Sequence, residues 1–343
     1  MTPVELSRTV LRAVRRAVDV GELSVSVPVS VRVGPPGPGG CGDYATNVAL
    51  RLAGPAGLSA LEVAEILRPH IGADPGVAGV TVTGPGFLNI TLGGGAAAAL
   101  VDEVLTQGAR HGFGDALAGQ VVELRVPYDT RAEVVADTLV RIVATQGGRA
   151  EVGHAEPVNL RPVPAPEDPA PLGADAARWA LLYPASRDRP RISADHLLQR
   201  ESNPLFRVRY AHARSRALRR NAAALGFSAR VGGDVPPGDE VRGGGGPFGV
   251  LGGSAREGVD LLSALAEYPH ALRLAATHRA PDRVARHLVG VADGLLLFQH
   301  LVLPLGDEKP SAAHRARLAL AEAAGTVLAG GLSLLGISAP EYL

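Results

Sequence analysis

Cysteine and aromatic residues are scarce in this sequence of 343 residues. Cys41 is the only cysteine, which excludes an internal disulfide and is typical of proteins from a reducing cytoplasm. The glycines around it, Gly39, Gly40 and Gly42, indicate a loop, and no His or Asn pairing marks the thiol as a nucleophile. Aromatic residues make up 4% of the chain, so aliphatic side chains must build the hydrophobic cores.

Long hydrophobic runs are missing as well. The sequence has no stretch of about eighteen uncharged apolar residues, so we expect no transmembrane helix. The N-terminus is amphipathic from its first residues and has no short apolar core like that of a signal peptide. Both features predict a cytoplasmic protein without a membrane partner.

Lysine is nearly absent, and arginine is unevenly distributed. Lys309 is the only lysine among 34 basic residues, and the net charge of the chain is zero. The charge is −2 over residues 1–117, −3 over residues 118–172 and +5 over residues 173–343. Seven arginines lie between Arg200 and Arg220, against the single acid Glu201. Such a cluster indicates either a solvated helix face or a surface that binds a polyanion.

Residues 1–117 are predicted to form a compact α+β domain. Asp43 is predicted to cap a helix, and Ser59 with Glu62 forms a capping box for the next helix. Periodicity and turn residues predict, in order, a helix at 2–19, a strand at Ser24–Val33, a Gly/Pro hairpin at Gly34–Gly42, a helix through Asn47–Leu50, a helix after Ser59, strands at Val77–Thr83 and Phe87–Leu92, and a helix at Ala96–Leu105.

The rest of the chain is predicted to contain a small β-α-β segment, 118–172, and an all-α bundle, 173–343. The first has strands at Val121–Val126 and Ala150–Gly153, a helix at Arg131–Thr145, and a Pro-rich linker at Pro157–Pro171. In the bundle, helices are predicted at 173–183, 193–225, 255–266, 268–279, 281–302 and 310–335. The Gly-rich stretch Val231–Gly253 is interpreted as a connection without a role, and Gly243–Gly246 lacks the residues of a phosphate loop.

Several motifs follow one another in an order that resembles a known family. Residues 42–50 read GDYATNVAL, and residues 84–90 read GPGFLNI. Residues 173–178 read GADAAR, residues 203–215 read NPLFRVRYAHARS, and residues 316–341 begin with ARL and end with GLSLLGISAPE. These motifs resemble the class I arginyl-tRNA synthetases. The resemblance implies an N-terminal tRNA-binding domain at 1–117, a remnant of a Rossmann-type catalytic domain at 118–172, and a helical DALR-like anticodon-binding domain at 173–343.

The two ATP-binding motifs of that family have no counterpart in the sequence. The first, His-x-Gly-His, should follow the strand at Val122–Pro127, but the chain passes directly through Tyr128–Arg131 into a helix. The second is a Lys-Met-Ser-Lys-Ser-like loop, whereas Lys309 lies in the sequence Asp-Glu-Lys-Pro. In the family these motifs stabilise the charge that develops on the α-phosphate of ATP. The resemblance therefore implies a truncated form with no catalytic residues, no cofactor and no metal.

The resemblance also implies two groups of tRNA-binding residues. In the N-terminal domain they are Phe87, Asn89 and Asn47. In the anticodon domain they are Arg207, Arg209, Tyr210, Arg214, Arg216, Arg220 and Leu343. Arg209 and Leu343 stand where the family has Gln and Met, so the resemblance predicts relaxed anticodon discrimination with general tRNA affinity retained.

Each of these assignments has a structural alternative. Phe87 would then belong to the core and Asn89 would cap the turn, while the arginines would form a solvated or salt-bridged face. His212 is interpreted as a packed histidine and not as an acid or base.

Three functions remain open at the level of the sequence. The first is a tRNA-binding protein unable to aminoacylate, with tRNA, including an arginine-accepting one, as its partner. The second is a protein-interaction or regulatory subunit that reuses the synthetase surfaces, with a full-length synthetase or another protein as its partner. The third is an arginine–tRNA ligase that acts with a partner. No DNA partner is expected.

Overall fold

The computed structural model describes residues 3–34, 36–37, 40–231 and 255–343. Residues up to Leu100 belong to a first compact unit, whereas Val101–Arg230 and Asp260–Leu343 form a second one. The predicted connection Val231–Gly253 lies outside the described residues from position 232 onwards, as do positions 35, 38 and 39 of the predicted hairpin.

The first unit contains helices around a four-stranded antiparallel sheet of order β1-β2-β4-β3. Its elements are α1 (Pro3–Asp19), β1 (Val33–Gly34), β2 (Tyr44–Thr46), α2 (Val48–Ala56), α3 (Ala60–Gly72), β3 (Val77–Thr83), β4 (Phe87–Leu92) and the start of α4 (Gly94–Gln107). The predicted hairpin of β3 and β4 is confirmed, with Thr83 paired to Phe87. Gly86 is required at its tip because a Cβ there would lie 2.6 Å from the carbonyl oxygen of Ala60.

Two predictions for this unit are wrong. The alternating segment Ser24–Val33 contains no strand before Val33, although Val25, Val27 and Val31 do pack on the core. Pro28 lacks the N–H that a strand needs for pairing, so the alternation describes an extended segment that covers the core without a strand partner.

Asp43 is also not a helix cap. Its carboxylate accepts a hydrogen bond of 2.7 Å from the backbone N–H of Leu92, at the end of β4, and burial raises its pKa. The N-cap of α2 is Asn47, whereas Ser59 and Glu62 form the predicted capping box of α3.

The second unit begins with a β-α-β element, as predicted. It consists of β5 (Val121–Arg125), α5 (Thr130–Ala144) and β6 (Arg149–Gly153). The two strands are parallel, with Val121 opposite Arg149 and Arg125 opposite Gly153. The Pro-rich stretch that follows has no regular structure but is attached to this unit, because Asn159 bonds to the backbone of β5 and Val163 donates to the carbonyl of Ser186.

Five further helices complete the second unit: α6 (Gly173–Leu182), α7 (Pro204–Ala224), α8 (Ala255–Thr277), α9 (Asp282–Phe298) and α10 (Ala312–Leu335). The predicted helix 193–225 is wrong in its first third, because Asn203 and Pro204 start a new helix after a 3₁₀ turn at Ala194–Leu197. The predicted break before residue 268 is wrong as well, since α8 continues through Pro269.

Helix α10 is the core of the second unit. It packs closely on its neighbours because Gly325 faces Ser215 of α7 and Gly331 faces Leu288 of α9, with no room for a larger residue at either position. It is also the one helix, among the described residues, long and apolar enough to cross a membrane. Because most of that apolar stretch is buried among the other helices, it has the character of a core helix.

Candidate nucleic-acid interface

Helix α7 positions most of the predicted tRNA-binding residues. Asn203 caps it, accepting a hydrogen bond from the backbone N–H of Leu205 and donating to the carbonyls of His196 and Leu198. Pro204 occupies the first turn, where its missing N–H is not needed. The start of α7 is therefore fixed to the preceding turn, and the orientation of its exposed face is set by the fold.

Tyr210 is the aromatic residue of this face. Its side chain is 38% exposed and stacks on Phe206, with ring centroids 5.5 Å apart and 19° between the ring planes. Phe206 supports the ring on one side and leaves part of it accessible to solvent. An exposed and supported aromatic ring is the feature on which an unpaired nucleic-acid base stacks.

The predicted arginines of α7 are engaged within the second unit. Arg207 lies 3.3 Å from Asp293, and Arg209 lies 3.6 Å from Asp175. Arg214 donates to the side chain of Gln299 at 2.6 Å. The predicted alternative of a salt-bridged face therefore describes part of the surface, and phosphate groups must compete with carboxylates for these guanidinium groups.

The residues Gly336–Leu343, here called the C-terminal segment, lie along α7. Arg216 pairs with Glu341 at 2.6 Å, and the guanidinium of Arg220 lies 4.3 Å from the ring centre of Tyr342. His212 is 5% exposed, and its Nδ1 atom lies 2.9 Å from the carbonyl oxygen of Pro340. Burial lowers the pKa of His212, so the ring is neutral at pH 7 and acts as a packed residue.

A cavity of about 370 Å³ brings two of the predicted residues together. Arg209 and Leu343 both line it, next to Phe206 and Asp175. Asp175 accepts hydrogen bonds from the backbone and the hydroxyl of Ser338, which fixes the C-terminal segment at this edge. Arg216 lies instead at a second cavity of about 370 Å³, beside His212 and Arg219.

The predicted residues of the first unit separate into exposed and buried ones. Phe87 is 40% exposed, and Asn47 is exposed at the start of α2 without a side-chain capping bond. The ladder between β2 and β4 ends with the pair Thr46–Leu88, so Asn47 and Phe87 both follow it at the same end of the sheet.

Asn89 does not share this position. It is 2% exposed, and its amide donates to the carbonyl of Thr81 and to the hydroxyl of Thr83 while accepting from the N–H of Cys41. Both donor hydrogens are used within the fold, so an RNA base would have to break these bonds to reach them.

Sequence reasoning missed one residue that organises the second unit. Arg131, at the start of α5, has no exposed surface. Its guanidinium donates to the carbonyls of Val163, Leu181, Pro184, Ala185 and Asp188 over 2.7–3.0 Å. Arg131 lies four and eight residues before Val135 and Leu139, on the apolar face of α5. An arginine on an apolar helix face was the signal that could have identified it.

Comparisons with known proteins follow the same division of the chain. The model of the arginyl-tRNA synthetase N-terminal domain matches residues 5–92, and that of the DALR anticodon-binding domain matches residues 208–343. The first match lies within residues 1–117 and the second within residues 173–343.

Individual relatives match only part of the chain. The arginine–tRNA ligase of Renibacterium salmoninarum is 42% identical over 160 residues, which cover 43% of this chain and 29% of the ligase. The ligase of Paenarthrobacter aurescens is 38% identical over an alignment of the same extent. The matched part of the chain thus spans less than a third of the length of these relatives. The arginyl-tRNA synthetase of Thermus thermophilus has a similar fold, with a TM-score of 0.65 over 100% of both chains at 13% identity.

Proposed function

Because this chain belongs to the arginyl-tRNA synthetase family, we propose that it is a cytoplasmic tRNA-binding protein that does not itself aminoacylate. The observation that carries the proposal is the exposed ring of Tyr210, stacked on Phe206, which lines the same cavity as Arg209 and Leu343. This arrangement offers a base a ring to stack on and offers a phosphate a cation within one surface.

The loss of ligation is supported by the chemistry of the sequence. The ATP-binding motifs require histidines at a helix start and a lysine-rich loop. Helix α5 instead begins at Thr130 and places the buried Arg131 in its first turn, while Lys309 is the only lysine of the chain. Arg131 is fully occupied by five carbonyls and has no donor left for an α-phosphate.

The experiment is a binding titration with total tRNA and with a purified arginine-accepting tRNA. Fluorescence anisotropy at about 50 mM and about 200 mM salt should show affinity that falls steeply with salt, since phosphate contacts release counterions. Tyr210→Ala should weaken binding by ~1–3 kcal/mol through the loss of base stacking. Tyr128→Ala is the matched control, because Tyr128 is 85% exposed but lies outside α7.

Equal affinities of the two tyrosine variants would reject α7 as the tRNA surface, and no binding at the lower salt concentration would reject the proposal itself. In that second case the ion pairs of Arg207, Arg209 and Arg216 favour another candidate function, a protein-interaction subunit. Salt-insensitive association with a full-length arginyl-tRNA synthetase would support that candidate.

A further inference from the structure

A cavity of about 670 Å³ lies in the second unit, between the loop at Ala185–Arg187 and the junction of α8 with α9. Four arginines line it: Arg187, Arg279, Arg283 and Arg286. None of the residues around it belongs to α7 or to the C-terminal segment. It is therefore separate from the surface to which tRNA binding was assigned above.

Three of the four arginines of this cavity have no side-chain partner among the described residues, and the fourth forms only long ion pairs. Within the described part of the chain, the guanidinium groups of Arg187, Arg279 and Arg283 make no hydrogen bond or ion pair. Arg286 lies 3.7 Å from Asp282 and 3.9 Å from Asp188, too far for hydrogen bonds. This contrasts with α7, where Arg214 and Arg216 have partners at 2.6 Å.

Two carboxylates, those of Glu267 and Asp282, also line the cavity but do not neutralise it. Asp282 is 7% exposed and interacts electrostatically with the buried Arg131 as well as with Arg286. Burial raises the pKa of Glu267. The four arginines thus outnumber the two carboxylates. The open part of the cavity therefore carries an excess of positive charge.

Histidine side chains add neutral hydrogen-bonding groups. Burial lowers the pKa of His287 to about 4, and burial together with Arg273 and Arg283 lowers that of His270. Both rings line the cavity and are neutral at pH 7, so each has one N–H donor, but that of His287 is used by the carbonyl of Ala264. Nδ1 of His270 accepts from Arg273, which leaves its Nε2–H as the donor available to a ligand.

The backbone at Arg279 is unusual for an arginine. Helix α8 ends in a Schellman motif, in which Ala280 N–H bonds to Ala275 C=O at 2.9 Å and Arg279 N–H approaches Ala276 C=O at 3.4 Å. Arg279, the residue that follows the end of the helix, has φ +54°, in the left-handed region that glycine normally occupies. Here that position carries a guanidinium group at the wall of the cavity.

The opposite wall is fixed by Arg131. Its guanidinium donates to Pro184, Ala185 and Asp188, the backbone on either side of Arg187. The cavity is thus a built part of the second unit, and its shape depends on α5 of the β-α-β element.

We propose that this cavity binds the phosphate groups of an anionic ligand. Planar guanidinium groups match the oxygens of phosphate in pairs, and the volume of the cavity is that of a small-molecule site. The phosphates belong either to a free nucleotide-like polyphosphate or to the backbone of an RNA, because both present the same oxygens to the arginines.

Calorimetric titration of the full chain with inorganic tripolyphosphate, and separately with ATP, tests the site in the absence of RNA. Arg283→Gln should lower the tripolyphosphate affinity at least about tenfold, the equivalent of one charge-assisted hydrogen bond. Arg68→Gln is the control, since Arg68 is an exposed arginine of the first unit and loses the same charge.

A second variant separates binding from folding. Arg279→Gly fits the left-handed backbone, so its thermal midpoint should not fall, yet its tripolyphosphate affinity should fall like that of Arg283→Gln. The proposal is overturned if the wild-type chain does not bind tripolyphosphate. It is also overturned if Arg68→Gln weakens binding as much as Arg283→Gln, or if Arg279→Gly and Arg283→Gln both keep full affinity.

Competition with tRNA identifies the source of the phosphate. Displacement of tripolyphosphate by tRNA, with weaker tRNA binding in Arg283→Gln, supports the site and assigns it to an RNA backbone. ATP binding with unchanged tRNA affinity in Arg283→Gln supports the site and assigns it to a free ligand. The proposal does not rest on tRNA binding, because the tripolyphosphate arm gives its result even if no tRNA binds.

Discussion

Arg131 is a fully buried charge whose five hydrogen bonds all go to backbone carbonyls. Its planar fork reaches both Val163 and the stretch from Leu181 to Asp188 with five N–H donors, whereas a lysine ammonium has three. Burial lowers the pKa of this arginine, but a guanidinium keeps its charge at every physiological pH. The residue is therefore a structural cation and not a catalytic one.

We predict that Arg131→Met destabilises the protein by about 3–5 kcal/mol, because it leaves several buried carbonyls without donors. The midpoint and slope of urea denaturation measure this loss. Arg149→Met is the control, since the side chain of Arg149 is 74% exposed and a change there should cost less than about 0.5 kcal/mol. Similar stabilities of the two variants would contradict the role given to Arg131.

The sequence predicts exposure of single residues less well than it predicts motifs. Phe87 and Asn89 belong to one motif and, being two residues apart in β4, point to the same face of the sheet. Phe87 is nevertheless 40% exposed, whereas Asn89 is buried and its amide bonds to Thr81 and Thr83. The loop at Gly40 and Cys41 lies against Asn89, and the N–H of Cys41 donates to its side-chain oxygen. This contact is not visible in the identities of the two residues.

The C-terminal segment is an element without regular structure that covers part of α7. Its Glu341 pairs with Arg216, which lowers the pKa of the glutamate, so a carboxylate occupies a guanidinium that the sequence predicted to bind an RNA phosphate. If α7 binds tRNA, this contact competes with it.

Glu341→Gln should therefore tighten tRNA binding, by less than about tenfold because the pair is on the surface. Fluorescence anisotropy measures the change, with Glu167→Gln as a control that removes an exposed carboxylate from the Pro-rich stretch. Equal effects of the two variants would mean that only net charge matters, and weaker binding in Glu341→Gln would contradict competition.

The contact between α8 and α9 is predicted to be sensitive to acid. Nε2 of His287 lies 2.9 Å from the carbonyl oxygen of Ala264, and burial lowers the pKa of the ring to about 4. In the unfolded chain this ring takes up a proton as the pH falls below about 6.5. In the folded chain it takes up the proton only near pH 4. Stability is thus complete above that window and falls as the pH drops through it.

The loss from His287 alone amounts to about 3 kcal/mol by pH 4. In His287→Gln, the glutamine amide can donate to the carbonyl of Ala264 but cannot take up a proton in this pH range. The stability of the variant should therefore vary less between pH 7 and pH 4 than that of the wild type. Urea denaturation across this range measures the difference. Parallel pH profiles of the two proteins would contradict the assignment to His287.

Elements bounded by strong local signals could be predicted from the sequence. The Gly84-Pro85-Gly86 turn predicted the positions of β3 and β4 correctly, and the Ser59–Glu62 capping box predicted the start of α3. The strand at Ser24–Val33 failed because alternation reports which residues face the core and not whether a partner strand is present. The break in α8 failed because tertiary packing holds a helix together across Pro269 despite its missing N–H.

At the scale of the whole molecule, the chain is predicted to bind tRNA without charging it. Incubation with radiolabelled arginine, ATP and arginine-accepting tRNA should give no arginyl-tRNA above background, because the sequence contains neither ATP-binding motif. A full-length arginyl-tRNA synthetase in a parallel reaction provides the positive control. Charging by the purified chain would reject the proposed loss of activity.

The pair of strands β5 and β6 has a consequence for solubility. Neither strand has a further strand partner in the described part of the chain. Asn159 and Leu160 occupy part of the outer edge of β5 through hydrogen bonds to Glu123 and Arg125, so the edge that is open to a foreign strand is that of β6. Glu123, Arg125, Arg149 and Glu151 share one face of this ribbon, and each arginine pairs with a glutamate on its own strand. A second copy that approached the edge of β6 would have to desolvate the charges of Arg149 and Glu151. The two-stranded sheet thus carries its own protection against edge-to-edge aggregation.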